Sequence, residues 1–266
     1  MRINHFVQAD IVLRNGSGRF WMDTCGGRDQ VAMTILKRGW KAYEAPMPQI
    51  VTAWSEAFNP VFVDVGANTG FYSLLALVSG AAHAYAFEPV SEIADILLAN
   101  VHVSEQLSSI TLHRCAVGEK SGNETLYFPL DGHGMVETSA SLREDFRSMH
   151  SAHKRVSVVT IDEVFKGFDF KASPVILKID VESCEAAVLS GAESFVSEFR
   201  PAILAELLPG SDQAFLLRFF EKHKYNHYLL ANNGPIESDK MVVSLEQRDH
   251  LFLPREMGRQ WLDKLG

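Results

Sequence analysis

The apolar positions of this chain change period along its length. Val61-Phe-Val-Asp-Val65 is a β-branched and aromatic run without alternation, the pattern of a strand buried on both faces. Gly66 and Gly70 come directly after it. Residues 71–79 are then nearly all apolar, as in a helix packed between a sheet and its neighbours, and this helix is expected to start near Thr69. Residues 84–87 read as a second strand ending at Glu88-Pro89. Ile93, Ile96, Leu97 and Val101 give the next helix its stripe, and residues 110–114 read as a third strand. Residues 175–181 are a fourth strand, succeeded by one helix carrying Val188, Ala192, Phe195, Val196 and Phe199 and closed by Arg200-Pro201. Residues 202–206 make a fifth strand, with a helix around Phe215, Leu216, Phe219 and Phe220 behind it. Residues 225–230, a turn at Asn232-Asn-Gly-Pro235 and Leu251-Phe-Leu253 complete the series.

This alternation implies right-handed crossovers and an α/β fold: a mostly parallel central sheet with helices on both faces. Two segments depart from it. Residues 115–160 hold strands at 125–128 and 156–160 around a glycine-rich loop, Asp131-Gly-His-Gly134. Residues 1–59 read as an N-terminal cap, a hairpin turning at Asn15-Gly-Ser-Gly18 and then helices over about 29–41 and around Ile50, Trp54, Ala57 and Phe58. Residues 60–266 then form the second, larger domain. Trp21, Trp40 and Trp54 are expected as core aromatics of the cap.

Composition narrows the function. There are 266 residues, 47% of them hydrophobic, with no run of about 20 apolar residues to span a membrane. The opening Met1-Arg-Ile-Asn-His-Phe6 lacks the features of a secretory signal, so a cytoplasmic location is expected. A net charge of −8 without a dense basic stripe argues against nucleic acid as a partner. Cys25, Cys115 and Cys184 have neither metal-like spacing nor a disulfide pattern. Assembly into a homo-oligomer is compatible with the sequence.

The chemistry concentrates at strand ends. Asp64 is an acid in a buried strand, near the carboxyl edge where open α/β sheets place ligands. The glycines at 66 and 70 permit a sharp turn, and a helix beginning there would aim free N–H groups at an anion or a polar nucleotide-like group. Asn68 stands where a dinucleotide-binding G-x-G-x-x-G turn has its second glycine, which disfavours NAD and FAD. Glu88, 22 residues past Gly66, can accept both hydroxyls of an adenosine ribose; its plainer role is a helix N-terminal charge. Lys178, Asp180 and Glu182 alternate, so a continuous strand would place all three on one side. They are candidates for catalysis, with Asp180 or Glu182 as base through a desolvation-raised pKa; the alternative is an internal salt bridge with Glu182 capping the next helix. Glu206 can face Asp180, but two carboxylates are too few for a hard divalent cation, and no metal is expected. His133, between two glycines, is either a lid imidazole or a solvated loop residue.

Asp64-Val-Gly-Ala-Asn-Thr-Gly70, Ala86-Phe-Glu-Pro89 and Leu177-Lys-Ile-Asp-Val-Glu182 together resemble the FkbM-type methyltransferases. The resemblance covers about residues 61–207, with weaker echoes at 39–44, 138–142 and 251–255. It implies a Rossmann-like methyltransferase fold and S-adenosylmethionine as cofactor. Asp64, Gly66, Asn68 and Gly70 would hold its methionine part, Glu88 beside Pro89 its ribose, and Cys115 and Ala116 would lie near the adenine, with Asp180 also in contact. Ser139 and Ser141 fall in one of the weaker echoes and would line the same lid as His133. The family usually has glycine after Asp-Val-Glu, whereas Ser183 and Cys184 stand here. The implied reaction is O-methylation of a hydroxyl on a small molecule or glycan acceptor. Two other readings share the strand, turn and distal acid: an NAD-linked oxidoreductase and a non-catalytic nucleoside-binding module.

Overall fold

The computed structural model describes residues 5–129, 141–142, 150–170 and 173–265. His133 and Ser139, and with them the glycine-rich loop, lie outside the described residues. β1 (Phe6–Leu13) and β2 (Gly16–Asp23) form an antiparallel hairpin in which Leu13 faces Gly16, so the turn is Arg14-Asn15 rather than residues 15–18. α1 (Gln30–Arg38) is capped by Asp29, whose carboxylate accepts the Ala32 N–H at 2.7 Å. It stops before the expected Lys41, because the chain turns there and Trp40 points inward, its Nε1 donating to the Asp10 carbonyl at 3.1 Å. α2 (Met47–Phe58) leads to β3 (Val61–Val65), α3 (Phe71–Val78), β4 (His83–Phe87), α4 (Ser91–Val103) and β5 (Ile110–His113).

β6 (Ala116–Val117), β7 (Gly122–Pro129) and β8 (His150–Val159) make a separate three-stranded sheet ordered β6-β8-β7. α5 (Ile161–Val164) and β9 (Val175–Ile179) return the chain to the main sheet. The single helix expected next is two, α6 (Glu185–Ser190) and α7 (Glu193–Phe199). The break falls at Gly191, where a Cβ would come within 2.1 Å of the Gly118 carbonyl oxygen; only glycine lets the two backbones touch. β10 (Ala202–Glu206), α8 (Gln213–Lys222), β11 (Tyr225–Ala231), β12 (Gly234–Glu237), β13 (Asp249–Pro254) and α9 (Gly258–Leu262) complete the chain.

The main sheet has eight strands in the order β12-β11-β13-β10-β9-β3-β4-β5. From β10 to β5 all neighbours are parallel, while β13 pairs antiparallel with both β10 and β11. The period of two divides each strand between two cores. Phe62, Ile176 and Leu204 face the hairpin, α2 and α3, packing with Ile11, Phe20, Trp54 and Leu74. Val63, Leu177 and Ile203 face the opposite side, against Phe195, Leu216 and Phe219. The N-terminal hairpin and helices thus share an apolar cluster with the sheet. Trp54 is fully buried, and its Nε1 donates to the Trp261 carbonyl at 2.9 Å. Among the described residues no helix is long and apolar enough to cross a membrane.

Candidate active site

A cleft of about 670 Å³, partly open to solvent, lies at the carboxyl ends of β3, β4 and β9. That edge is where the parallel strands stop and the crossovers diverge, the usual ligand position in such sheets. Gly66, Asn68, Glu88, Pro89, Cys115, Ala116, Asp180 and Glu182 line it, so most of the residues singled out from sequence meet in one place. Asp64, Gly70 and Lys178 stand outside the lining. Val90, Ile93, Val117, Leu126 and Leu142 supply an apolar side. Among the described residues the walls carry three carboxylates, Glu88, Asp180 and Glu182, and no lysine or arginine.

The turn after β3 differs from the expected anion cradle. The Gly66 and Ala67 N–H groups both donate to the Phe87 carbonyl, at 3.1 and 3.0 Å. Asn68 N–H donates to Glu88 at 3.0 Å, Thr69 N–H to the Asn68 side chain at 2.7 Å, and Gly70 N–H to the Ala67 carbonyl at 2.9 Å. All five donors are engaged within the protein, and α3 starts two residues later than expected. Asp64 faces the helix rather than the cleft: it is 1% exposed and its Oδ2 accepts the Ser73 hydroxyl at 2.7 Å. Gly66 has φ +81°, and a Cβ there would sit 1.8 Å from the Asp180 carbonyl oxygen. The β3 turn and the end of β9 are therefore pressed together, with Asp180 N–H donating to the Val65 carbonyl at 2.9 Å.

Glu88 is held from two sides. Its Oε2 accepts Asn68 N–H and its Oε1 accepts Val90 N–H at 2.8 Å, which leaves each oxygen of this cleft-lining carboxylate a further lone pair. Burial drives its pKa up to about 7, against the two backbone N–H groups, and the Asp64 and Asp180 charges add to the rise.

Strand periodicity puts Asp64, Lys178 and Glu206 on the face towards the hairpin and α3. Lys178 is 2% exposed, pairs in register with Asp64, and donates to Asp180 Oδ2 at 3.0 Å. Its Nζ also lies 4.7 Å from the centre of the Tyr72 ring. Burial opposes its charge, and the Asp180, Asp64 and Glu44 carboxylates more than offset that, so its pKa is raised. Lys178 thus acts from behind Asp180 and not in the cleft. Burial alone would raise Asp180; attraction by Lys178 and the Glu206 hydrogen bond outweigh it and hold the carboxyl below its ordinary value. Of the two acids expected to have a raised pKa, Asp180 does not, while its neighbour Glu206 is pushed up to about 10 by burial and then by Asp180, with Arg248 opposing. Arg248 Nη1 lies 2.9 Å from Glu206 Oε1.

The expected single row breaks at its third member. β9 ends at Ile179, and Glu182 and Ser183 have φ of +51° and +72°. Two successive left-handed residues turn the chain, so Glu182 forms part of the cleft wall beyond the strand instead of continuing the Lys178–Asp180 side. Ser183 adopts the backbone region that a glycine would take there most cheaply. The Ser141 hydroxyl donates to the Glu182 carbonyl at 2.8 Å, bringing that serine to the cleft rim.

Four polar residues beside Asp180 carried little or no signal in the sequence. Tyr72 donates to Glu44 Oε2 at 2.9 Å, and Asp249 pairs in register with Glu206 next to Arg248. Burial raises Glu44, with Asp180 adding to it, and drives Asp249 up to about 7, with Glu44 adding to it. Tyr72 stands out only as a hydroxyl inside an apolar helix, and Glu44 closes one of the weaker family-like segments. Arg248 and Asp249 have no such mark, because only the insertion of β13 beside β10 brings them here.

Residues 64–229 match the model of the methyltransferase FkbM domain. Methyltransferase sdnD of Sordaria araneosa is 29% identical over 158 residues, which cover 51% of this chain and 61% of that protein. The chain thus spans about three fifths of that relative's length. A crystal structure of methyltransferase FkbM from Methylobacillus flagellatus KT overlaps 73% of this chain and 43% of its own, at 19% identity and a TM-score of 0.48. The O-methyltransferase from Bacillus cereus in complex with SAH overlaps 80% of this chain and 82% of its own, at 9% identity and a TM-score of 0.45. With the domain match extending over more than half of its length, from Asp64 in β3 into β11, the chain belongs to the FkbM family of methyltransferases.

Proposed function

We propose that this chain is an S-adenosylmethionine-dependent methyltransferase that methylates a hydroxyl of a sugar or other small molecule. One observation carries the cofactor assignment: a cleft at the strand ends walled by Glu88, Asp180 and Glu182, without a cation among the described residues. A pyrophosphate would meet three carboxylates and a turn whose five N–H groups are already engaged. A ligand with a cationic sulfonium and ammonium and a ribose diol fits the same walls. Glu88 is the acceptor for the ribose hydroxyls, the apolar side from Val90 to Leu142 suits the adenine, and Gly66, Asn68 and Asp180 border the methionine part.

When bound, S-adenosylmethionine supplies a methyl carbon activated by its positive sulfur. The chain's own work is to hold the acceptor in line, exclude water and accept the hydroxyl proton. Asp180, an anion at neutral pH that reaches the cleft with 24% of its side chain exposed, is placed to take that proton. Calorimetric titration with S-adenosylhomocysteine and with NADH tests the reading. Saturable binding of the first is expected, and binding of NADH alone would overturn it in favour of an oxidoreductase. Asp180→Asn should weaken S-adenosylhomocysteine binding by no more than about tenfold while lowering transfer at saturating cofactor by about 100-fold or more, the usual weight of a positioned base.

A further inference from the structure

β9 and β10 run parallel with Leu204 beside Lys178 and Ala205 beside Ile179, so Glu206 and Asp180 follow side by side at the strand ends, where their carboxyl groups interact. Two carboxyl groups that share a hydrogen bond need a proton between them. Their surroundings decide which one keeps it. Asp180 has the Lys178 ammonium at 3.0 Å and the open cleft on its other side. Glu206 has Arg248 at 2.9 Å, but that side chain is 44% exposed and so screened by solvent, whereas Lys178 is 3% exposed. The stronger, dry cation therefore stands beside Asp180. Glu44, Asp64 and Asp249 complete the acidic surroundings, with the Tyr43 and Tyr72 phenols packed on the same side. With this many acids for two cations, full ionisation of the pair is disfavoured.

We infer that Glu206 carries a proton and donates it to Asp180, leaving Asp180 the anion that receives the acceptor's proton. Glu206 is then a positioning residue, fixing which oxygen of Asp180 is free, and the inference rests on the methyltransferase reading above. Proton balance supports it. As the acceptor oxygen gains its bond to the methyl carbon and the carbon–sulfur bond breaks, the hydroxyl hydrogen becomes strongly acidic. A carboxylate of low basicity then suffices, and the acceptor's O–H bond breaks as an O–H bond to Asp180 forms. The pair now holds two protons and returns one to solvent past Arg248, restoring the starting state.

The test is infrared spectroscopy of the unliganded wild type and Glu206→Gln at pH 8.5, with glutamate carboxyls 13C-labelled. At that pH Glu88, Glu185 and Asp249, each driven up only to about 7, are ionised, while Glu206 is not. Beyond any contribution of Glu44, which is raised in both proteins, the wild type should show a protonated glutamate band that disappears near pH 10 and is absent from Glu206→Gln. The glutamine retains an N–H for Asp180, so S-adenosylhomocysteine affinity should stay within about threefold, under 1 kcal/mol. No protonated glutamate in the wild type at pH 8.5, or the same band in the variant, overturns the inference even if S-adenosylhomocysteine binds. Calorimetric binding of magnesium that Glu206→Gln abolishes would also overturn it, as a metal site in place of a shared proton. Loss of S-adenosylhomocysteine binding in the wild type would instead refute the cofactor reading, leaving the infrared result to stand separately.

Discussion

Lowering the pH from 8 to 6 should weaken cofactor binding through Glu88. The carboxyl titrates at about 7 in the unliganded protein, 5% exposed and held by Asn68 and Val90 N–H groups. Ribose hydroxyls donate best to its ionised form, so each pH unit well below 7 lowers affinity by about tenfold, or 1.36 kcal/mol. From pH 8 to pH 6 the ionised fraction falls about tenfold. Calorimetry with S-adenosylhomocysteine at pH 6, 7 and 8 measures this directly, and Glu88→Gln should flatten the curve at a uniformly weaker affinity. Stability gives an independent readout. Because the folded pKa is raised above the ordinary 4.5, Glu88 holds its proton longer in the folded state. Unfolding free energy should therefore fall as pH rises from 4.5 to about 7 and level off above, by on the order of 3 kcal/mol from this group. Glu88→Gln removes that share of the slope and leaves those of Glu185 and Asp249. A wild-type affinity that does not change between pH 6 and 8, or a Glu88→Gln protein that keeps the full dependence, refutes the argument.

Gly66→Ala should be among the most damaging single-methyl changes, since the new Cβ would lie 1.8 Å from the Asp180 carbonyl at φ +81°. A loss of roughly 2–4 kcal/mol with failure of S-adenosylhomocysteine binding is expected, read by urea unfolding and calorimetry. Ser183→Gly should do the reverse, relieving φ +72° for a gain of up to about 1 kcal/mol and a Tm rise of roughly 2 °C. Calorimetric melting of that variant checks it, and a lower Tm would mean that the Ser183 side chain supports the turn.

Features set by short-range pattern are legible in the amino-acid sequence. Buried parallel strands, the tight turn at Gly66 and the acids at strand ends are local signals, and the cleft gathers residues from three such signals. Features set by contact are not. Nothing near Asn68 shows that five successive N–H groups would be engaged by Phe87, Glu88 and the turn itself, because Phe87 and Glu88 belong to another strand and its end. The row of Lys178, Asp180 and Glu182 reads as continuous because residue types do not reveal where a strand ends; this one ends at Ile179, and two left-handed residues, Glu182 and Ser183, then turn the chain. Proton affinity at Asp180 is hidden for the same reason. Asp180 and Glu206 are both acids at strand ends, and only the dry lysine beside one and the wet arginine beside the other separate them.

The position of β13 constrains the order of assembly. It fills the gap between β10 and β11, although it comes after β11 and β12 in the chain. As the polypeptide leaves the ribosome, β10 has no antiparallel neighbour until residues 249–254 appear, so its edge waits with unpaired N–H and carbonyl groups. The sheet is completed only by a late insertion, a non-local step of the kind that slows folding. The same step delivers Arg248 and Asp249 to Glu206, so the acid pair gains its second cation only when the sheet closes.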